Sequence, residues 1–246
     1  MINTQRCITS PRAKKDYKPR NDLMTIILLC DSPGYRMKSY GPPSLITIAN
    51  NKLIDIQIEA ISKAFKYYEI ILCVGFDAEK ISKYIRNKYG NINIRIVENQ
   101  LYHNSNSCES ARLALNNTVN DQILICDGNL LMNSDTLSLV NDSVSTVLIE
   151  SDPCDNLEVG VNLDEKNEAQ HFSFGASHIW SEILYLSNQE IIEALRRIMC
   201  GTDYKSKFIF EALNELIKTK HKLKCIENEH SIKKINNVKT YHAITR

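Results

Sequence analysis

The chain has 246 residues, is 43% apolar and carries a formal net charge of +1, so it can bury a sizeable core and shows no bulk charge for nucleic acid or an anionic membrane. No apolar run approaches the ~20 residues that a membrane helix needs, and no signal-peptide pattern is present, so a cytoplasmic setting is expected. The eight cysteines form no C-x-x-C pair; Cys30, Cys73 and Cys126 end or interrupt apolar runs, which argues against zinc and for buried thiols in a reducing compartment.

Residues 1–22 are polar and aperiodic, with six basic residues (Arg6, Arg12, Lys14, Lys15, Lys18, Arg20) against Asp16 and Asp22, a balance of +4. This composition reads as a solvated arm, or as an arm that docks on an acidic protein partner. The domain proper is expected over 23–246. It opens with a seven-residue apolar run, Met24–Cys30, broken by Asp31, Ser32, Pro33 and Gly34 and followed by Arg36, Lys38 and Pro42–Pro43. A buried first strand feeding a phosphate-type loop is predicted. Helical spacing over Leu53–Lys66 follows, then a short buried strand, Glu69–Val74, closed by Gly75. Asp77 is placed to cap a helix running to Lys88.

Asn91–Glu98 alternates and predicts a third strand. Asn106, three residues before Glu109, starts a helix to Leu115 with a capping-box pattern. Gln122–Cys126 predicts a fourth strand, ending at Asp127–Gly128. A short helix over Asp135–Asn141 and a strand over Ser145–Glu150 come next. The second half is less regular. It holds expected strands at Leu157–Leu163, Gln170–Ala176, Leu223–Ile226 and Ser231–Ile235, and expected helices at Asn188–Cys200, Lys207–Thr219 and Val238–Ile244. No internal repeat or linker is visible.

Strands alternating with helices at this spacing predict an α/β fold: a mostly parallel, Rossmann-like sheet with helices on both faces and an antiparallel elaboration in the C-terminal third. Ligands of such sheets sit outside the carboxyl ends of the strands. The turn after Cys30, the loop after Glu98 and Asp127 all fall at that edge.

The order of these pieces resembles the Rossmann-like nucleotidyltransferases, nearest to the sugar-phosphate nucleotidyltransferases and phosphocholine-type cytidylyltransferases. LLCDSPGYRM aligns with that family's Gly-rich loop, Pro42-Pro43-Ser44-Leu45 with its Pro-Lys-x-Leu step, and Glu98–Leu115 with its Asn- and Ser-containing loop and helix. ILICDGNLLM aligns with the strand delivering a magnesium-binding aspartate, and KKINNVKTYHAI with the strand and turn bringing a second one. The resemblance implies nucleotide contacts at Ser32, Gly34, Asn106 and Ser110, transfer chemistry at Arg36 and Lys38, and Mg²⁺ on Asp127 and Asn236. Asn106 and Ser110 serve equally well as helix-cap residues, and Asp127 as a turn former with Gly128.

Four positions depart from the family pattern, and each weakens phosphate chemistry. Ser32 stands at the loop's first glycine, beside Pro33, which has no N–H to offer. Asp31 replaces a small apolar residue; a carboxylate ~4 Å from a phosphate charge costs ~1 kcal/mol in water and ~4 at an effective dielectric of 20. Pro43 stands at the family's lysine. Asn236 stands at the second aspartate, where an amide supplies no charge to Mg²⁺. The expectation is a nucleotidyltransferase-fold protein with a degraded catalytic loop, serving as an interaction or structural component of a larger assembly such as a virus particle. The alternative is an active Mg-dependent cytidylyltransferase or sugar-phosphate nucleotidyltransferase that takes a nucleoside triphosphate.

Overall fold

The computed structural model describes residues 23–34, 37–140, 143–152, 154, 157–230 and 232–245. The basic arm at 1–22 and Arg36 lie outside these residues.

The elements run β1 Met24–Cys30, β2 Thr47–Ile48, β3 Asn51–Lys52, α1 Leu53–Ala64, β4 Tyr68–Val74, α2 Ala78–Lys88, β5 Ile94–Glu98, α3 Ser107–Leu115, β6 Ile123–Asp127 and β7 Leu130–Leu131. They continue as α4 Ser134–Leu137, β8 Thr146–Glu150, β9 Val159–Leu163, β10 Ala169–Phe174, β11 His178–Leu186, α5 Gln189–Met199, α6 Ile209–Lys218, β12 Lys224–Glu227, β13 Lys233–Lys234 and α7 Val238–Thr245. The main sheet has the order β10-β9-β11-β6-β1-β4-β5, with β8 also on β11 and β12 on β8. Strands β6, β1, β4 and β5 are mutually parallel. Strand β11 is antiparallel to β6, β8 and β9. The fold is therefore the expected α/β sheet, with its antiparallel part in the C-terminal third.

All seven residues of β1 are buried, because alternate side chains enter different cores. Ile27 and Leu29 join Ile71, Cys73, Ile123 and Ile125 under α3, α5 and α6. Ile26, Leu28 and Cys30 join Ile70, Leu72, Leu124 and Cys126 under α1, α2 and α4. A third, smaller cluster of Met37, Ile46, Ile48, Leu53 and Ile235 carries α7 through Val238, Tyr241 and Ile244. This cluster fastens the segment after the first loop to the C-terminal end of the chain.

Several local expectations need correction. Asp77 does precede α2, but its backbone is left-handed and its side chain makes no cap bond; the carboxylate pairs with Lys80 instead, at 2.5 Å. The capping box at α3 does not close. Asn106 Oδ1 accepts from the Ser107 N–H at 2.9 Å, while Glu109 forks onto Arg112 with two bonds of 2.7 Å. The chain also contains a nine-residue strand, β11, over a stretch for which no element was expected. Its sequence places Ser181 and Glu182 inside an apolar run, and its register shifts between Trp180 and Leu184 with Glu182 at φ +56°. A β-bulge erases the alternation that marks a strand in sequence.

One polar cluster ties α1 to α2. Asp55 accepts from Tyr84 Oη at 2.7 Å, Lys88 Nζ at 2.7 Å, Tyr89 Oη at 2.6 Å and its own helix start at Lys52 N, 3.2 Å. Burial alone would raise this carboxyl, but the bonds from Lys88, Tyr89, Tyr84 and Lys52 outweigh it and hold the pKa below its ordinary value. Asp55→Ala is expected to lower unfolding stability by about 2 kcal/mol in urea denaturation. A depressed carboxyl stabilises the fold above the unfolded-state pKa of ~3.9 and loses that contribution as pH falls through the lower folded value. The stability gap between wild type and Asp55→Asn is therefore expected to narrow progressively below about pH 4.

Candidate active-site edge

The four parallel strands deliver their carboxyl ends to one edge. Parallel register puts Cys30 beside Val74, Val74 beside Glu98, and Leu29 beside Asp127. Backbone bonds then lock the turns together: Phe76 N–H to Asp31 O at 2.9 Å, Asn99 N–H to Val74 O at 2.8 Å, and Gly128 N–H to Leu29 O at 2.8 Å. Two of these approaches require glycine. A Cβ on Gly75 would lie 2.7 Å from Tyr102 Cβ and 2.9 Å from Asp31 Cβ. One on Gly128 would lie 2.3 Å from Cys30 Sγ.

The first loop is tied to itself. Gly34 takes φ +69°, as a phosphate-cradling turn would, but its N–H donates to Ser32 Oγ at 3.2 Å. Pro43 and Ser44 are buried against the same end of the sheet. Together with Leu29, Cys30, Ser32, Asp127, Gly128 and Asn129 they line a pocket with room for about one water molecule. Lys38 begins an exposed 3-10 turn, Lys38–Tyr40, none of whose residues is buried. That turn is held from the other side by Tyr241, whose ring packs edge-on to Tyr40 at 5.5 Å.

Ser110 is fully buried on α3, where its Oγ accepts from Asn99 Nδ2 at 2.8 Å. Asp31 faces the same pair. Desolvation raises its carboxyl above the usual range, and the neighbouring Ser110 and Asn99 only partly offset that. Asn99 and Ser110 thus form a buried polar pair with the half-buried Asp31 close by. Asn106 stands at the start of α3, braced by its N–H to the Lys205 carbonyl at 2.8 Å. The loop carrying Lys205 and Lys207 supports α3 through its backbone, since Cys108 N–H also reaches the Lys207 carbonyl at 3.3 Å.

Asp127 ends β6 and is half-buried. Its turn is pinned by Gln57 of α1, whose Nε2 donates to Asp127 O at 3.2 Å and Leu130 O at 2.9 Å. Its side chain is not alone. The β11–β6 register pairs Ile183 with Cys126, so Glu182 falls opposite Asp127. Burial raises the Asp127 carboxyl well above its ordinary value, and the charge of Glu182 raises it further; Lys234 counteracts both. Lys234 itself forms an ion pair with Glu182. Burial would lower the ammonium's pKa, yet Glu182 and Asp127 raise it overall. Neither Glu182 nor Lys234 was expected at this edge. Glu182 was hidden by the bulge, and Lys234 sits in a two-residue strand whose partner is distant in sequence.

Asn236 follows β13 and approaches the first loop through its backbone, its carbonyl lying 3.4 Å from where a Gly34 Cβ would be. Its side-chain Oδ1 accepts from Asn237 Nδ2 at 2.7 Å. As a donor set for the Mg²⁺ that the resemblance implies, these residues do not fit. The amide oxygen of Asn236 brings no charge and already accepts a bond from Asn237, an ammonium sits on Glu182, and among the described residues no three His, Cys, Asp or Glu side chains are grouped to hold a metal ion.

Solved structures of the same fold come from several organisms. The CTP:phosphocholine cytidylyltransferase from Streptococcus pneumoniae (LicC) is 20% identical with a TM-score of 0.72, covering 91% of this chain and 98% of its own. The inositol-1-phosphate CTP transferase from T. maritima is 14% identical with a TM-score of 0.74, over 91% and 95% of the two chains. The nucleoside-diphosphate-sugar pyrophosphorylase from Vibrio cholerae RC9 is 14% identical at a TM-score of 0.70, over 90% and 99%. At such identities the likeness establishes a nucleotidyltransferase-like fold. No curated protein matches in sequence. Residues 47–189, more than half of the chain, match the family described as Domain of unknown function (DUF6564).

The glycine at the end of β6 offers a direct test of this packing. Gly128→Ala is expected to cost about 1–3 kcal/mol in urea denaturation, because its Cβ has no room beside Cys30 and the Leu29 carbonyl. Gly90→Ala, whose nearest neighbour would be the Arg86 carbonyl at 3.4 Å, is expected to fall within about 0.5 kcal/mol of wild type.

Proposed function

We propose that this chain, which belongs to the DUF6564 family, keeps a nucleotidyltransferase-like fold without nucleotidyl transfer and works as an interaction component of a larger assembly. The observation that carries this reading is the charge of the carboxyl edge. Asp31, Asp127 and Glu182 converge there, and Lys234 is bound to Glu182. Phosphoryl and nucleotidyl transfer depend on positioned cations over the phosphates. A carboxylate left ionised ~4 Å from a phosphate charge adds ~4 kcal/mol of repulsion at an effective dielectric of 20, and Lys234, paired with Glu182, is not free to offset it. The bond from Gly34 N–H to Ser32 Oγ and the buried Pro43–Ser44 step support the same reading. The basic arm at residues 1–22 is assigned the contact with an acidic protein surface; its removal is expected to abolish assembly.

The competing reading is an active cytidylyltransferase or sugar-phosphate nucleotidyltransferase. It draws on the fold shared with such enzymes and on Asp127 at the end of β6. Incubation of the full chain with each nucleoside triphosphate, Mg²⁺ and a panel of phosphorylated alcohols and sugars separates the two. The expected outcome is no pyrophosphate release above a protein-free control and no nucleotide-dependent rise in melting temperature. Pyrophosphate release that scales with protein concentration and disappears in Asp127→Ala would establish the enzyme instead.

A further inference from the structure

We infer that the ammonium of Lys234 is the resident cation of the Asp127–Glu182 edge, standing in for a divalent metal ion. Three separate features of the fold converge on this arrangement. First, the antiparallel register of β11 on β6, with Ile183 opposite Cys126, sets Glu182 across from Asp127. Second, β11 is bulged there and Glu182 adopts a left-handed backbone, φ +56°. Left-handed non-glycine residues carry a conformational cost and persist where their surroundings impose them. Third, β13 pairs with β7, Lys234 opposite Leu130, and Ile235 N–H bonds the Asn129 carbonyl at 2.9 Å. The chain carrying Lys234 is thereby drawn alongside the turn that follows Asp127.

The Lys234 side chain spans this gap to pair with Glu182. Its side chain is 40% exposed and that of Glu182 is 19% exposed, so the pair lies at the rim of the edge. The ion pair uses Glu182 Oε1, and the other oxygen, Oε2, is buried with no hydrogen-bond partner. A divalent cation would have to displace the ammonium to gain both carboxylates. Mg²⁺ demands near-octahedral oxygen ligation and sheds water reluctantly, so it competes poorly with a cation tethered to the chain.

This inference does not rest on the absence of catalysis, and its test reads metal binding directly. The full-length chain is titrated with Mn²⁺, following free Mn²⁺ by electron paramagnetic resonance and stability by thermal melting. Wild type is expected to take up no stoichiometric Mn²⁺ in the submillimolar range and to show no Mn²⁺-dependent rise in melting temperature. Lys234→Met keeps the stem and removes the charge; it is expected to bind one Mn²⁺ about tenfold or more tighter than wild type and to melt higher with Mn²⁺ present. Lys234→Arg, which restores a cation, is expected to behave as wild type. Stoichiometric Mn²⁺ binding by wild type that is lost in Asp127→Asn would overturn the inference, as would a folded Lys234→Met that gains no Mn²⁺ affinity. The wild-type titration decides the matter even if Lys234→Met fails to fold. A protein that binds Mn²⁺ without releasing pyrophosphate contradicts this inference alone, whereas metal-free turnover contradicts only the functional reading.

Discussion

The parallel pairing of β1 with both β4 and β6 is the constraint from which the rest of this structure follows. Each of the seven β1 residues has a partner in β4, and five have one in β6. A strand hydrogen-bonded on both edges and covered on both faces must be apolar throughout, and MTIILLC is nearly so. Its one polar residue inside that run, Thr25, is not orphaned. Its hydroxyl meets Glu69 at 2.9 Å and Thr118 at 3.1 Å and receives Asn120 Nδ2 at 2.7 Å, while Glu69 takes a two-pronged bond from Arg95 at 2.9 Å. A satisfied polar network thus closes the amino end of the sheet, and the carboxyl end is left for the loops.

At that carboxyl end the chain spends its polar groups on itself. Ser32 takes the Gly34 N–H, Ser110 takes Asn99, Asn236 takes Asn237 and Glu182 takes Lys234. In a site built to hold a charged ligand, donors are preorganised toward the place the ligand will occupy. Here these four pairs are turned toward one another, while Asn129 Oδ1 and Glu182 Oε2 are buried without a hydrogen-bond partner. The C-terminal helix adds to this closure: α7 packs through Val238, Tyr241 and Ile244 on the cluster that carries Met37 and Ile46, so the segment after the first loop is held by residues some 200 positions away.

The acids at this edge are tolerable because their charges are compensated locally. Asp31 lies against Asn99 and Ser110, and Asp127 shares the field of Lys234 with Glu182. Removing one member of such a buried group leaves an uncompensated charge, which costs more than the group contributes when whole. The sheet edge therefore works as a unit.

Much of this was legible in the amino-acid sequence. The apolar run Met24–Cys30, the amphipathic helices at 53–64, 189–199 and 209–218 and the buried strand before Asp127 follow from local periodicity, which is a short-range property. So does the convergence of Asp31, the loop after Glu98 and Asp127 on one edge, because parallel strands with right-handed crossovers allow no other arrangement. What only the tertiary structure decided is the partnership of side chains far apart in the chain. Glu182 meets Asp127 because β11 bulges and turns back antiparallel on β6, and Lys234 joins them through a two-residue strand. Strand alternation is lost at a bulge, and although a strand is expected over Ser231–Ile235, nothing local to it names β7 as its partner. Side-chain pairing across the sheet is fixed by register, which no local pattern of residues encodes.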